Sequence, residues 1–317
     1  MTPLSVTMVS GGQLPVPPPG YGGIESVIWE LATRLRARGH QVEIVNQRKR
    51  RLLLDLLRAP RTGFLHVHHE KCIPQALLAG RLRRIPVVAT PHMGFDWERL
   101  DEDAYRRLRL LARAPSLMPM RSDLAERLLA RSPKARIEIV PSGCDVEAFD
   151  PAPEGNGRAI CLGAINPNKR QAEVAATCLE AGLPCDFVGP MHRGGLPEGA
   201  SYLGEWTRAE VRLRLTHYTA LVLWSRFEGG GPPLAVSEAL AAGLSVVASP
   251  AAGATLPEAP WRHIATDRAA LAECLRTALE AGDAHRQAAR AYALDHLRWD
   301  PIVERYASIL ARWRDGG

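Results

Sequence analysis

TALVLWSRFEGGGPPLAVSEALAAGLSVVASP, residues 219–250, reads as one complete folding unit. Residues 219–225 are a short run of apolar and β-branched side chains closed by a glycine cluster, the pattern of a buried strand. Gly229, Gly230 and Gly231 permit positive-φ backbone and close approach of a ligand. Pro233 stands where a first helical residue belongs, the helix runs on to Ala242, and Gly243 stops it. Residues 244–250 supply the next strand. Two strands joined by a helix in so short a span lie parallel, because a parallel pair needs a crossover.

The same unit recurs along the chain. The strand LSVTMVS (4–10) leads through a Gly/Pro loop to a helix over SVIWELATRLRARG (26–39), where Val27, Leu31 and Leu35 fall at helical spacing. QVEIVNQ (41–47), FLHVHH (64–69) and PVVATPH (86–92) follow as strands, with helices after the first and near 73–83. After the polar break DPAPEGNGR (150–158) the alternation restarts at AICLGAI (159–165) and continues through CDFVG (185–189) and SYLGE (201–205) to the unit quoted above. Helices are expected after Asn168, Thr207, Pro233 and Asp267. The chain is therefore expected to be α/β, with two doubly wound, Rossmann-like parallel-sheet domains facing across a cleft. The first is placed at 1–151 and the second at 156–297, with an amphipathic C-terminal helix over 298–317 packing back on the first.

Composition narrows the function. At 317 residues, 46% hydrophobic and 23% charged, the chain is globular and too long for one comfortable core. The net charge of +6 favours an anionic partner. Its arginines are spread along helices without the aromatic residues of a base-stacking platform, so nucleic acid is not expected. No apolar run reaches the roughly 20 residues of a membrane span. The start, MTPLSVTMVSGG, lacks a basic segment ahead of an apolar one, and six scattered cysteines without a C-x-x-C read as reduced thiols. The expected location is the cytoplasm.

A wider pattern now becomes visible. PPPGYGGIESVIWELATRLRARGHQVEIV, VVATPH, IVPSGCDVEAFDP, LGAINPNKRQ, FEGGGPPLAVSEALAAGLSVVAS and AGATLPE resemble, in this order, the retaining glycosyltransferases of family 4, which have the GT-B fold. The resemblance covers nearly the whole chain. It implies transfer of a sugar from a nucleotide-sugar donor, UDP- or GDP-linked, to an acceptor that is a small molecule, a glycan or lipid-linked. It implies retention of anomeric configuration and no cofactor. The alternative is a nucleotide-sugar or glycan-binding protein that kept the fold and lost turnover.

The resemblance also assigns residues. Glu238 falls on the glutamate that holds the donor ribose, and Glu228 with the amides of Gly229, Gly230 and Gly231 on the elements that hold the donor sugar. Lys169 matches the lysine that neutralises the diphosphate, and Gly22 and Gly23 match a phosphate-facing turn at a helix start. Backbone near Gly189 and over Gly204, Glu205 and Trp206 matches the nucleobase wall. His92, at a strand end, matches a histidine that contacts the donor sugar.

Two departures stand out. The family has seven residues between its glutamates, whereas nine separate Glu228 from Glu238, and strict register lands on Gly230. Either the loop bulges so that Glu228 reaches the sugar, or backbone amides act alone; the bulge is expected. The family's second cation falls on Ala164, which leaves the diphosphate clamp half built unless Arg170 replaces it. Elsewhere, His66 and His68 share a strand face but have no distant third ligand, so no metal is expected. RKRRLLLDLLRAPR (48–61) is either a sheet-covering helix with a solvated face or a weak foothold on anionic lipid at the inner membrane face.

Overall fold

The computed structural model describes residues 2–92, 94–229 and 231–316; Gly230, one of the three loop glycines, lies outside them. The first half runs β1 (Ser5–Ser10), α1 (Gly23–Ala37), β2 (Gln41–Asn46), α2 (Lys49–Arg58), β3 (Phe64–Val67), α3 (Ile73–Arg83), β4 (Val87–Ala89), α4 (Glu102–Leu111), β5 (Ser116–Leu117), α5 (Ser122–Arg131) and β6 (Arg136–Ile137). The second runs β7 (Ala159–Leu162), α6 (Gln171–Ala181), β8 (Cys185–Val188), β9 (Ser201–Tyr202), α7 (Arg208–Arg214), β10 (Ala220–Leu223), α8 (Leu234–Ala241), β11 (Ser245–Ala248), β12 (Arg262–Ile264), α9 (Arg268–Leu279), α10 (Asp283–His296) and α11 (Trp299–Arg314).

These strands form two six-stranded sheets, ordered β2-β1-β3-β4-β5-β6 and β12-β11-β10-β7-β8-β9, with every named pair parallel. Strand order reverses between β1 and β3 in one sheet and between β7 and β10 in the other. Ligands of open α/β sheets bind beyond the carboxyl ends of the strands at such reversals. The loops that leave these four strands are therefore the ones to examine.

Helices cover both faces because each sheet is apolar on both sides, as parallel sheets are. β10, for instance, buries all four of its residues, and α8 buries every residue from Val236 to Ala241 between the sheet and α10. Helix α8 begins one residue later than its sequence suggests, since Pro233 is extended and caps it. Helix α1 turns Ile28, Leu31, Ala32 and Leu35 inward, with Glu25 in its first turn and Arg34 and Arg36 in its last complementing the helix dipole. Burying each large aliphatic side chain contributes about 1.5–3 kcal/mol.

The segment from 102 to 137 holds four elements the sequence pattern does not announce. Strands β5 and β6 have two residues each, too few to show a period. The change of sheet also comes earlier than the polar break at 150–158. Cys144, Val146 and Phe149 pack in the core of the second sheet with Val236, Ala239 and Leu240, so the crossing lies ahead of them. The break itself is a loop tied to the second sheet, with the Asn156 amide donating to the His217 carbonyl at 2.8 Å.

The chain crosses back just before α11. Leu297 belongs to the second core, whereas Trp299, Val303, Tyr306 and Leu310 lie in the first with α1. The two crossings run side by side, joined by a bridge between Cys144 and Arg298 and by the Cys144 amide donating to the Leu297 carbonyl at 2.7 Å. Trp299 packs against Gly143, where a Cβ would stand 2.6 Å from ring carbon Cδ2 and 2.9 Å from the Trp299 Cα.

That contact yields a test. Gly143→Ala forces the ring off its seat and is expected to cost about 1–3 kcal/mol, read as a lowered urea midpoint; an unchanged midpoint means that the ring does not rest on this glycine.

Candidate active site

The two loops at the β7/β10 reversal are fastened to each other by Asn168. Its side-chain amide donates to the Phe227 carbonyl at 3.1 Å, its Oδ1 accepts from the Phe227 amide at 3.2 Å, and its carbonyl accepts from the Arg226 amide at 2.9 Å. Asn166 closes the turn, its Oδ1 accepting from the Lys169 amide at 3.0 Å. Lys169 is thereby aimed across the reversal, and its Nζ meets Glu228 Oε1 at 2.5 Å in a largely buried ion pair. Residues 226–229 carry no helix or strand, and they bring the Glu228 carboxylate to the lysine. Arg170 is committed elsewhere. It sits at φ 55°, stacks 3.5 Å above the Trp224 ring and hydrogen-bonds Glu173. Ala164 is buried, so position 164 offers no charge.

The opposite wall is the first sheet's reversal. The turn after β1 runs over residues 20–23, where Gly22 has φ 148° and accepts from the Ser26 amide at 2.9 Å. A Cβ at Gly23 would meet nothing within 4 Å, so the start of α1 opens onto free space. Its first amides have no intrahelical partner and present positive potential there. Tyr21 reaches across, its ring edge-on to His192 with centroids 5.4 Å apart. Burial, aided by the nearby Glu25 and Glu228 carboxylates, raises the Tyr21 hydroxyl above its ordinary pKa.

The walls touch at two glycines. A Cβ at Gly94 would stand 2.6 Å from the Glu228 carbonyl, and one at Gly20 would stand 2.8 Å from the Trp206 carbonyl oxygen. Gly229 is buried at the first contact. Gly231 faces the first domain more loosely, 3.7 Å from the Met120 carbonyl oxygen by the same measure.

Glu238 lies deeper, 2% exposed, on the first turns of α8. It pairs with Arg208, which opens α7 behind a capping box of Thr207 and Glu210, and whose amide donates to the Pro19 carbonyl at 3.3 Å. Both side chains wall an interdomain cavity of about 270 Å³, together with Trp29, Glu30, Arg212 and Trp299. Sequence reasoning passes over Arg208, although its partner is a residue it singles out. It also passes over Glu25, which burial holds above the usual carboxylate range.

The remaining candidates divide. Gly189 (φ 139°) and Gly204 (φ 75°) are linked by the Gly189 amide donating to the Gly204 carbonyl at 2.9 Å, while Glu205 is exposed. The Trp206 side chain, by contrast, packs into the second core beside Tyr218, so only its backbone reaches the other domain. Asp96 spends its carboxylate capping the Glu98 and Arg99 amides.

His92, expected at the end of a strand over 86–92, lies three residues past β4, with Nε2 hydrogen-bonded to His68 Nδ1 at 2.9 Å. His66 lies beside them, bonded through Nδ1 to the Tyr306 hydroxyl and through Nε2 to the Thr90 hydroxyl, both at 2.8 Å. Burial lowers His66 and His92 to about 3 and His68 well below its ordinary value, so all three are neutral dipoles at pH 7. No group of three or more His, Cys, Asp or Glu that could hold a metal ion occurs among the described residues.

Comparison with known proteins fits this geometry. The profile of Glycosyltransferase Family 4 matches residues 46–148. No protein of curated function matches the chain. Among solved structures, sucrose-phosphate synthase from Thermosynechococcus elongatus superposes with a TM-score of 0.77 at 16% identity, over 98% of this chain and 99% of that one. Anabaena HepE, solved in complex with UDP and glucose, gives 0.77 at 16% identity over 97% and 99%. AviGT4, a glycosyltransferase involved in avilamycin A biosynthesis, gives 0.69 at 18% identity over 99% of both. The chain has the GT-B fold of these structures.

His66 and His92 set a pH dependence. The unfolded chain takes up a proton at each below about pH 6.5 while the folded one does not until about pH 3, so stability is full above 6.5 and falls as the pH drops. Each contributes a slope of about 1.4 kcal/mol per pH unit. Replacing His66 by Asn should flatten the plot of unfolding free energy between pH 6 and 4; the same slope in both proteins would show that His66 is not held neutral.

Proposed function

We propose that this protein is a glycosyltransferase that moves a sugar from a nucleoside-diphosphate donor, UDP- or GDP-linked, to an acceptor with retention of anomeric configuration. One observation carries the reading. A lysine ammonium, a carboxylate and the uncovered start of helix α1 flank the gap between two sheet reversals. Such a gap suits a diphosphate flanked by two hydroxyl-rich sugars.

In this reading the Lys169–Glu228 pair is a placeholder. The diphosphate takes the ammonium, which frees the Glu228 carboxylate to accept from hydroxyls of the transferred sugar. Ribose hydroxyls take Glu238 in the same way and displace Arg208 toward the phosphates. Gly22 and Gly23 close on the diphosphate from the other side, with Gly229, Gly230 and Gly231 facing the sugar. Backbone at Gly189, Gly204, Glu205 and Trp206 borders the base. His92, neutral and fixed at Nε2, offers Nδ1 as a dipole toward the reacting carbon.

The chemistry needs no nucleophilic side chain. The acceptor oxygen bonds to the anomeric carbon on the face from which the diphosphate oxygen departs, and that oxygen receives the acceptor's proton. The protein's part is electrostatic: preorganised amides and an ammonium stabilise the charge that develops on the leaving group. No cofactor enters this scheme. Residues 1–140 are assigned to the acceptor side and the second sheet to the donor.

A second reading, nucleotide-sugar binding without turnover, draws on Ala164 and on the commitment of Arg170 to Trp224. Release of nucleotide from a panel of UDP- and GDP-sugars separates the two, since a binder shows affinity and no release.

Lys169→Met and Glu238→Gln should each weaken UDP affinity by about tenfold, the loss of one charge-assisted hydrogen bond. Calorimetric titration measures this. Wild-type affinity in both variants would remove the donor site from this crevice.

A further inference from the structure

The formal charge of +6 is concentrated on one face. Helices α2 and α3 lie side by side over the first sheet, and Arg83 fastens them by donating to the Leu56 and Ala59 carbonyls at the end of α2. Residues 48–61 and 73–84 contain one carboxylate, the half-buried Asp55. Against it stand eight exposed cations: the run 48–51, Arg58 and Arg61 near the end of α2, and Arg81 and Arg84 at the end of α3. Taken alone, this face exceeds the charge of the whole chain, so the remainder is nearly neutral.

The pairing of these cations differs from that elsewhere. Arginines such as Arg34, Arg38, Arg158, Arg268 and Arg312 sit in ion pairs. None of the eight does so among the described residues. Four leucines project among them, Leu54 at 46% exposure, Leu57 at 37%, Leu78 at 46% and Leu82 at 63%. Their helical neighbours Leu52, Leu56, Ala76 and Ala79 fill the core, so the exposed leucines are surplus to it.

We infer that the α2–α3 face is a docking surface for an anionic lipid bilayer. Free cations attract the headgroups, and the leucines enter the acyl boundary, where their exposure in water becomes favourable burial. A nucleic-acid backbone would satisfy the cations but leave the leucines in water, and no aromatic residue on this face offers a base a stacking plane. An acidic protein would have to match eight dispersed charges without a groove to seat it. The basic end of α2 follows β2 at the carboxyl edge of the first sheet, so the docked face lies beside the crevice. This inference is independent of the reaction proposed above.

The full chain is tested by flotation with vesicles of phosphatidylcholine alone or with about 30% phosphatidylglycerol. Binding to the anionic vesicles only, lost above about 0.5 M salt, is expected. Replacing all four leucines by serine should weaken that binding on the order of tenfold, with the melting temperature and UDP affinity unchanged. R50E/R51E/R58E should abolish it. Absence of binding to anionic vesicles overturns the inference. So does equal binding by the four-serine variant, which would mark a generic polyanion surface, tested in parallel with duplex RNA. A solution dimer that buries the four leucines overturns it as well.

Discussion

Carboxylates withdrawn from water must have cations, and that requirement organises the second domain. Glu238 is almost wholly enclosed and Glu228 nearly so; without Arg208 and Lys169 each would pay the full cost of desolvating a charge. The Asn168 clamp, the left-handed turn at Arg170 and the capping box before α7 are local devices that deliver those cations. In the proposed donor site, charges held this way are in place before a ligand arrives. Its acids and bases are held by one another, and a ligand carrying both phosphates and hydroxyls can exchange partners with both.

The first domain meets that site with shape more than with charge. Gly20 and Gly94 are needed where they are because the backbone of the other domain occupies the space of a side chain. Neutral histidines line its interior, kept uncharged by burial and by one another. The excess positive charge sits on α2 and α3, where no carboxylate pairs with the eight exposed cations among the described residues. The protein thus separates two electrostatic tasks that composition alone merges into a single number.

Much of this could be read in advance, and for definite reasons. Long strands with β-branched cores, glycine stops and polar N-caps at Thr207 and Asp267 announce themselves locally. The strand, helix and strand expected within residues 219–250 all form, each shorter than its pattern suggests, at Ala220–Leu223, Leu234–Ala241 and Ser245–Ala248. What escaped the pattern is relational. Gly94 looks like any loop glycine until Glu228 is seen to lie against it. Arg208 and Asp145 acquire meaning only through partners far along the chain. The place of the Trp206 ring, in the second core with Val211 and Tyr218, is likewise set by residues beyond its own motif. The polar stretch at 150–158 reads as a linker, whereas the chain has changed sheets by Cys144, which already packs in the second core.

That crossing is double. The strands of chain near Cys144 and Arg298 run together in register, and around them Glu30 and Arg34 of α1, Asp145 of the crossing and Arg212 of α7 alternate in a ring of ion pairs. A single covalent tether would let the lobes twist and slide. Two tethers bonded side by side leave rotation about the line through them as the compliant motion, so the lobes part and rejoin along one reproducible arc.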